Sequence, residues 1–170
     1  MDEIVNKVAG SGLVTIDLAD LAVAGERVIF DVKPLLFMGQ ILKEKELRDF
    51  VKNHDWSRYS GKVVGITCSA DAIVPTWAYM LLALAFRPHA AKVYFAGPEE
   101  LERLLFAEKL AGTDWSRYKD ARVVIKGCGD MPVPVNAFVM VTTAVAPFAR
   151  SIMYGEPCST VPLYKAKPAG

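Results

Sequence analysis

Three cysteines and two aspartates are the side chains of this sequence best suited to bind a metal ion or to perform thiol chemistry. Cys68 lies in GITCSADAIVP and Cys128 lies in IKGCGDMPVP, and each is followed by an aspartate, Asp71 or Asp130, and then by a proline. The third cysteine, Cys158, lies in GEPCSTVP near the C-terminus. Three thiolates with a carboxylate or water form a ligand set that suits zinc or iron. The sequence therefore predicts a metal site made by these five residues.

The elements that precede the cysteines would hold them at one edge of a sheet. The segments 61–68 and 121–128 are short apolar runs typical of buried parallel strands, and each leads into an apolar helix. Ligands of open α/β sheets bind at the carboxyl ends of the strands, and a helix N-terminus there favours a thiolate. We expect Cys68 and Cys128 at that edge. Cys158 lies beyond the last helix, so the chain must turn back for it to join them.

An internal repeat links the two cysteine segments. The pentapeptide DWSRY occurs at 55–59 and again at 114–118, which predicts two equivalent strand–loop–helix units over residues 55–87 and 114–150. We align the two Val-Val pairs of the strands, which matches Cys68 with Cys128 and leaves the aspartates three and two residues behind them. The aspartate of each pentapeptide is expected to cap a short turn.

The order of apolar segments predicts an α/β fold. Strands are expected at 13–18, 26–32, 61–68, 91–97 and 121–128, and helices at 40–54, 75–86, 98–110 and from 134, with a bend or break at Pro147. This alternation predicts a single compact domain over residues 1–170, with a mostly parallel or mixed sheet of about five strands flanked by helices. We expect the first strand to form an antiparallel edge beside the second, and the C-terminal segment to be a turn and an extended tail.

Composition excludes several classes of partner. The net charge of +1 gives no electrostatic reason to bind nucleic acid. The two most apolar runs, 75–86 and 134–149, are shorter than the roughly 20 residues of a membrane span. The acidic N-terminus does not resemble a secretion signal, and three cysteines is an odd number, so a reducing cytoplasm is expected. The apolar composition is compatible with a homodimer, but no specific pattern predicts one.

Two other functions fit the same residues, so the sequence does not decide whether the protein is an enzyme. The first is a thiol enzyme such as a sulfurtransferase with Cys68 as persulfide carrier, although no arginine follows six residues later to hold an anion. The second is a non-catalytic protein-binding scaffold with structural cysteines. Asp71 and Asp130 could form a general acid–base pair, but we favour helix N-caps for both.

The chain also resembles an uncharacterised bacterial family. The segments GERVIFDVKPLLFMGQILKEKELRDFVKNHDWS, CSADAIVPTWAYML, ARVVIKGC and YGEPCSTVPLYK together are similar to the domain-of-unknown-function family numbered twenty-four eighty. Genes of that family tend to lie near those for SUF-type iron–sulfur cluster assembly. The resemblance implies a role in iron, sulfur or cluster handling, with iron–sulfur assembly proteins as partners and zinc or iron, less so a cluster, as cofactor.

Overall fold

The chain divides into two compact units. The computed structural model describes residues 12–127, 129–156 and 159–168, so Cys128 and Cys158 lie outside the described residues. Ala24–Leu101 form one unit, called the inner unit here. Met1–Val23 and Glu102–Gly170 form the other, called the outer unit. Each unit has its own sheet.

Strands and helices alternate along the chain, which confirms the α/β class and the mostly parallel pairing. In chain order they are β1 Leu13–Asp17, β2 Arg27–Asp31, α1 Glu44–Asn53, β3 Val63–Thr67, α2 Thr76–Phe86, β4 Lys92–Phe95, α3 Pro98–Ala111, β5 Arg122–Lys126, α4 Val135–Val145, β6 Ser151–Glu156 and β7 Ser159–Lys165. We expected one sheet of about five strands, whereas the described strands form a sheet of three and a sheet of four. The strands divide because each set of helices buries its own sheet face.

The inner unit is a three-stranded parallel sheet in the order β2-β3-β4. Right-handed crossovers between neighbouring parallel strands place both connecting helices on one face. The buried cluster agrees, because it contains Leu47 of α1, Val64 of β3 and Leu82 of α2. The helix predicted at 40–54 begins only at Glu44, after a tight turn in which the Phe37 and Ile41 main chains bond to each other.

The outer unit is a four-stranded sheet in the order β1-β5-β6-β7. The expectation that the first strand pairs antiparallel with the second is wrong, because β1 pairs in parallel with β5. The strands β6 and β7 replace the predicted turn and extended tail, and β7 runs antiparallel to β6. Gly155, at a φ of 109°, and the nearby proline suggested a turn, yet the chain keeps its strand pairing through this glycine. α4 ends at Val145, before Pro147.

The two units are built alike, with a constant shift of 59 residues and no gap. Arg122 is paired across its sheet as Val63 is, and Ser151 as Lys92 is, in each case 59 residues later. The indole of Trp56 donates to the Val51 carbonyl, and that of Trp115 donates to the Leu110 carbonyl, with the same shift. A list of buried helix residues shows the same spacing: Ala78, Leu82 and Phe86 in α2, and Ala137, Val141 and Val145 in α4.

The ungapped register corrects the alignment of the cysteines. A shift of 59 residues matches Cys128 with Ser69, and it matches Cys68 with Gly127. The two loop aspartates now correspond without a gap. The repeat therefore conserves the position of the aspartate in the loop and moves the cysteine by one residue between the units.

The DWSRY segments form short 3-10 turns, as expected. The carboxylate of Asp55 accepts a hydrogen bond from the Ser57 amide at 3.1 Å, and that of Asp114 accepts one from the Ser116 amide at 3.0 Å. Both carboxyl pKa values are lowered, chiefly by the hydrogen bond from the serine hydroxyl. These segments have a structural role, because their aromatic rings are buried in the two cores.

Candidate functional site

Charged side chains join three strand ends at the carboxyl edge of the outer unit. The ammonium of Lys126, which ends β5, lies 3.3 Å from the carboxylate of Asp17, which ends β1. The same ammonium lies 3.6 Å from the carboxylate of Glu156, which ends β6. The hydrogen bond to Asp17 raises the pKa of Lys126, and the negative charge of Glu156 adds to this effect. Lys126 therefore remains a cation between two carboxylates.

This edge is also where the chain enters and leaves two of the predicted ligands. Gly127 and Gly129 flank Cys128, while Glu156 and Ser159 flank the pair of residues that contains Cys158. Glu156 and Ser159 are paired across the β6–β7 hairpin. The return of the chain that Cys158 requires is made by β6, which runs parallel to β5 after α4. The convergence of Cys128 and Cys158 themselves stays a prediction, because both lie outside the described residues.

The inner unit has a different arrangement at its carboxyl edge. Asp31 ends β2 as Asp17 ends β1, and its carboxylate accepts hydrogen bonds from the amides of Lys33 at 2.9 Å and Ser69 at 3.0 Å. It also accepts a short hydrogen bond from the Ser69 hydroxyl. Partial burial acts to raise the pKa of Asp31, but the hydrogen bonds from Ser69 and Lys33 outweigh it, and the pKa is lowered. This carboxylate holds the cysteine loop against the end of β2.

Cys68 is half-buried beside this carboxylate and an aromatic ring. Its thiol contacts the Ala70 carbonyl oxygen at 3.8 Å. Tyr79 of α2 lies close by, and its pKa is raised first by burial and then by the charges of Cys68 and Asp31. Tyr79 therefore forms one wall of the Cys68 site.

The shift of the cysteine between the units has a steric reason. In the outer unit, Phe138 takes the place of Tyr79 and packs edge-on against Tyr154 at 5.9 Å. A Cβ atom added to Gly127 would lie 2.5 Å from the tip of the Phe138 ring. A cysteine at residue 127 would therefore force that ring to move, whereas the inner unit has space for Cys68.

The two loop aspartates do not cap the helices that follow them. Asp71 and Asp130 are exposed, one in each unit. The N-cap residues of α2 and α4 are Pro75 and Pro134, and neither helix has a side-chain cap. Our preference for N-caps is therefore wrong, and both carboxylates remain candidates for binding.

Sequence reasoning missed the charged residues that end the strands. Asp17 and Asp31 occur at the end of two similar strands, VTID and VIFD, 14 residues apart. A matched aspartate at the end of two short apolar strands was the signal that could have identified them. Lys126 and Glu156 could not be identified in this way, since their neighbours depend on strand order. Within the described ranges, no group of three or more histidine, cysteine, aspartate or glutamate residues is placed to hold a metal ion.

Comparison with known proteins gives one family and no annotated relative. The family described as "Protein of unknown function (DUF2480)" matches residues 2–166. Neither the curated proteins nor the solved structures contain a significant match. Among the residues that the structure describes, no helix combines the length and the apolarity needed to cross a bilayer.

Proposed function

The chain belongs to the DUF2480 family of proteins of unknown function, and we propose from its own site that it binds zinc or iron at the carboxyl edge of the outer unit. Cys128 and Cys158 are the proposed thiolate ligands. The observation that carries the proposal is the 3.6 Å contact between Lys126 and Glu156, because these residues end the two strands that lead to the two cysteines.

Chain connectivity limits how far the cysteines can be from this contact. Consecutive Cα atoms are about 3.8 Å apart, and Cys128 follows Lys126 by two residues, as Cys158 follows Glu156 by two residues. Ser159, which follows Cys158, is paired with Glu156. Two thiols with so short a tether to neighbouring strand ends are well placed to share one ion.

The remaining ligands can come from carboxylates or water. Asp130 is exposed in the loop that follows Cys128, and the Glu156 side chain is 49% exposed, so both can reach an ion at this edge. Asp17 is less suited, because its carboxylate already accepts from the Ala19 amide and contacts Lys126. Two thiolates with carboxylate or water oxygen atoms form a set that zinc and iron both accept.

The three-cysteine hypothesis remains open for Cys68 and Asp71. Both belong to the inner unit, and Cys68 matches Gly127 of the repeat and not Cys128. The repeat therefore does not support a symmetric role for the two cysteines. A substitution of Cys68 decides whether this thiol joins the ion.

An accessory role in iron–sulfur cluster assembly is the biological context that we propose. The support is a donor set rich in thiols, which suits iron as well as zinc, together with the resemblance noted from the sequence. Iron–sulfur assembly proteins are the proposed partners, and the cytoplasm is the proposed compartment because it keeps thiols reduced.

The test is elemental analysis of protein purified without chelator or affinity metal. We expect about one equivalent of zinc or iron in the wild type, as for a site with a single ion. We expect Cys128→Ser and Cys158→Ser each to lose it. Cys68→Ser is the matched control, because it removes a thiol from the other unit; retained metal supports a two-cysteine site, and lost metal supports the three-cysteine version.

The proposal is wrong if the wild type holds no metal and all three variants behave alike. In that case thiol chemistry at Cys68 is the second candidate, favoured by the proximity of Cys68 to Tyr79 and Asp31. Faster alkylation of Cys68 than of the other two thiols would support it. The negative charge of Asp31 works against a thiolate there, so we rank this function below metal binding. Equal alkylation rates would leave a scaffold with structural cysteines.

A further inference from the structure

We propose that two copies of the chain associate through the edge strand β4, which pairs antiparallel with β4 of the second copy. The observation behind this proposal is that the repeat leaves one corresponding edge covered and the other open. β6 of the outer unit is covered by β7, whereas no described strand pairs with the outer side of β4 in the inner unit.

The same groove occurs beside both strands. In the outer unit, it lies between α4 and the β6–β7 hairpin, and Val161 and Leu163 of β7 contribute to its lining. In the inner unit, the equivalent groove lies between α2 and β4, with Tyr79 and Phe95 in the places of Phe138 and Tyr154. The outer unit therefore shows what this groove accepts, an antiparallel strand with apolar side chains at alternate positions.

The open groove continues along the first half of β4 and has exposed apolar walls. This part has a volume of about 510 Å³, and Met80, Leu84 and Ala91 are among its lining residues. Met80 is 63% exposed, Leu84 is 65% exposed and Phe95, at the other end of β4, is 66% exposed. Three large apolar side chains so exposed around one edge strand are typical of an interaction surface.

A second copy fits this edge because the strand is complementary to itself. When two β4 strands pair antiparallel about a two-fold axis at Val93, Phe95 of each copy lies opposite Ala91 of the other. Each Phe95 ring then enters the groove beside Leu84 of the other copy. An isologous contact of this kind closes with two copies and leaves neither edge open.

The charges at the two ends of β4 also match in this orientation. Arg87 is exposed just before the strand, and Glu99 is exposed just after it, in the first turn of α3. Antiparallel pairing about Val93 brings Arg87 of one copy to Glu99 of the other, twice by symmetry. A parallel arrangement would bring like charges together. Charge complementarity therefore favours the antiparallel dimer.

Sedimentation analysis of the full chain tests the proposal. We expect a dimer in the wild type, and we expect Phe95→Glu to raise the dissociation constant at least about tenfold, since it places a carboxylate in the apolar groove. The matched control is Ile73→Glu, which changes a residue of the same unit that is 91% exposed and lies away from β4. Ile73→Glu should remain dimeric. Circular dichroism of both variants verifies that they fold.

A charge exchange tests the orientation of the strands. Arg87→Glu should weaken the dimer, and the double variant with Glu99→Arg should restore it, because each copy then carries the reversed pair. Three results would overturn the proposal: a monomeric wild type at high micromolar concentration, a Phe95→Glu variant that stays fully dimeric, or a double variant weaker than the single one. A monomeric wild type would assign the groove to a strand of a different protein.

Discussion

The aspartate at the end of the first strand of each unit shows how one residue type serves two different edges. Asp17 contacts Lys126 and so helps to join three strand ends. Asp31 instead accepts three hydrogen bonds, from Lys33 and Ser69, and holds the Cys68 loop. The fold places the carboxylate, and the partner decides its role.

His54 illustrates a second effect of local surroundings. Its ring packs against Phe50 and Trp56 at 4.7 Å, and its Nε2 atom lies 3.2 Å from the Tyr59 hydroxyl. Burial lowers the pKa of His54 and the charge of Arg58 lowers it further, whereas Asp55 opposes them. The folded protein therefore favours the neutral ring.

We predict a loss of stability in acid that depends on His54. Because the folded pKa lies below the unfolded value of about 6.5, this contribution is present above that pH and is lost as the pH falls towards the folded pKa. Urea unfolding between pH 5 and 7.5 should show a steeper acid loss in the wild type than in His54→Phe, which keeps an aromatic ring without a titrating group. Parallel stability curves for the two proteins would contradict this account.

At the scale of elements, the repeat explains the positions of most strands and helices. The turn into each central strand has one residue with positive φ, Gly61 at 71° and Asp120 at 60°. In both turns this residue donates its amide to a carbonyl of the loop before the last parallel strand, that of His89 or of Phe148. The same backbone is therefore made with a glycine in one unit and with an aspartate in the other.

We predict that residue 61 tolerates only side chains that adopt this conformation. Gly61→Val should lower the free energy of unfolding by about 1–2 kcal/mol, because a β-branched residue is strained at positive φ. Gly61→Asn is the matched control and should stay within about 0.5 kcal/mol of the wild type, since asparagine, like Asp120, tolerates this region. Thermal or urea unfolding measures both variants. Equal losses in the two variants would show that the side chain and not the backbone is the cause.

The elements that sequence reasoning identified are those with strong local patterns. The runs before the cysteines are continuously apolar and became β3 and β5, and the helices after Pro75 and Pro134 are equally apolar. β6 has a glycine near its end and a proline after it, so its local pattern resembles a turn, and only pairing with β5 and β7 makes it a strand. The division into two sheets depends on long-range pairing, which periodicity does not contain.

The candidate site was predictable only in part for a similar reason. Cys68, Cys128 and Cys158 were selected by residue type, but matching two cysteines introduced a gap that the structure removes. Lys126 and Glu156 became part of the site through the neighbouring positions of β5 and β6. Residue chemistry was therefore visible in the sequence, whereas the partners of those residues were set by strand order.

At the scale of the molecule, two similar units have acquired different edges. The inner unit ends in an open strand, with Cys68 beside Tyr79 and Asp31. The outer unit has an added hairpin strand, and the ends of β5 and β6 lead to Cys128 and Cys158. We infer that duplication supplied the fold, and that the outer edge then provided the metal site and the inner edge the dimer contact.

X-ray absorption spectroscopy of the bound metal tests the central claim most directly, because it reports the ligands themselves. We predict two sulfur atoms at about 2.3 Å from zinc, or at a comparable distance from iron, together with oxygen ligands at about 2.0–2.2 Å. Cys128→Ser should replace one sulfur by oxygen or abolish binding. A ligand shell of oxygen and nitrogen alone in the wild type would contradict the proposed cysteine site.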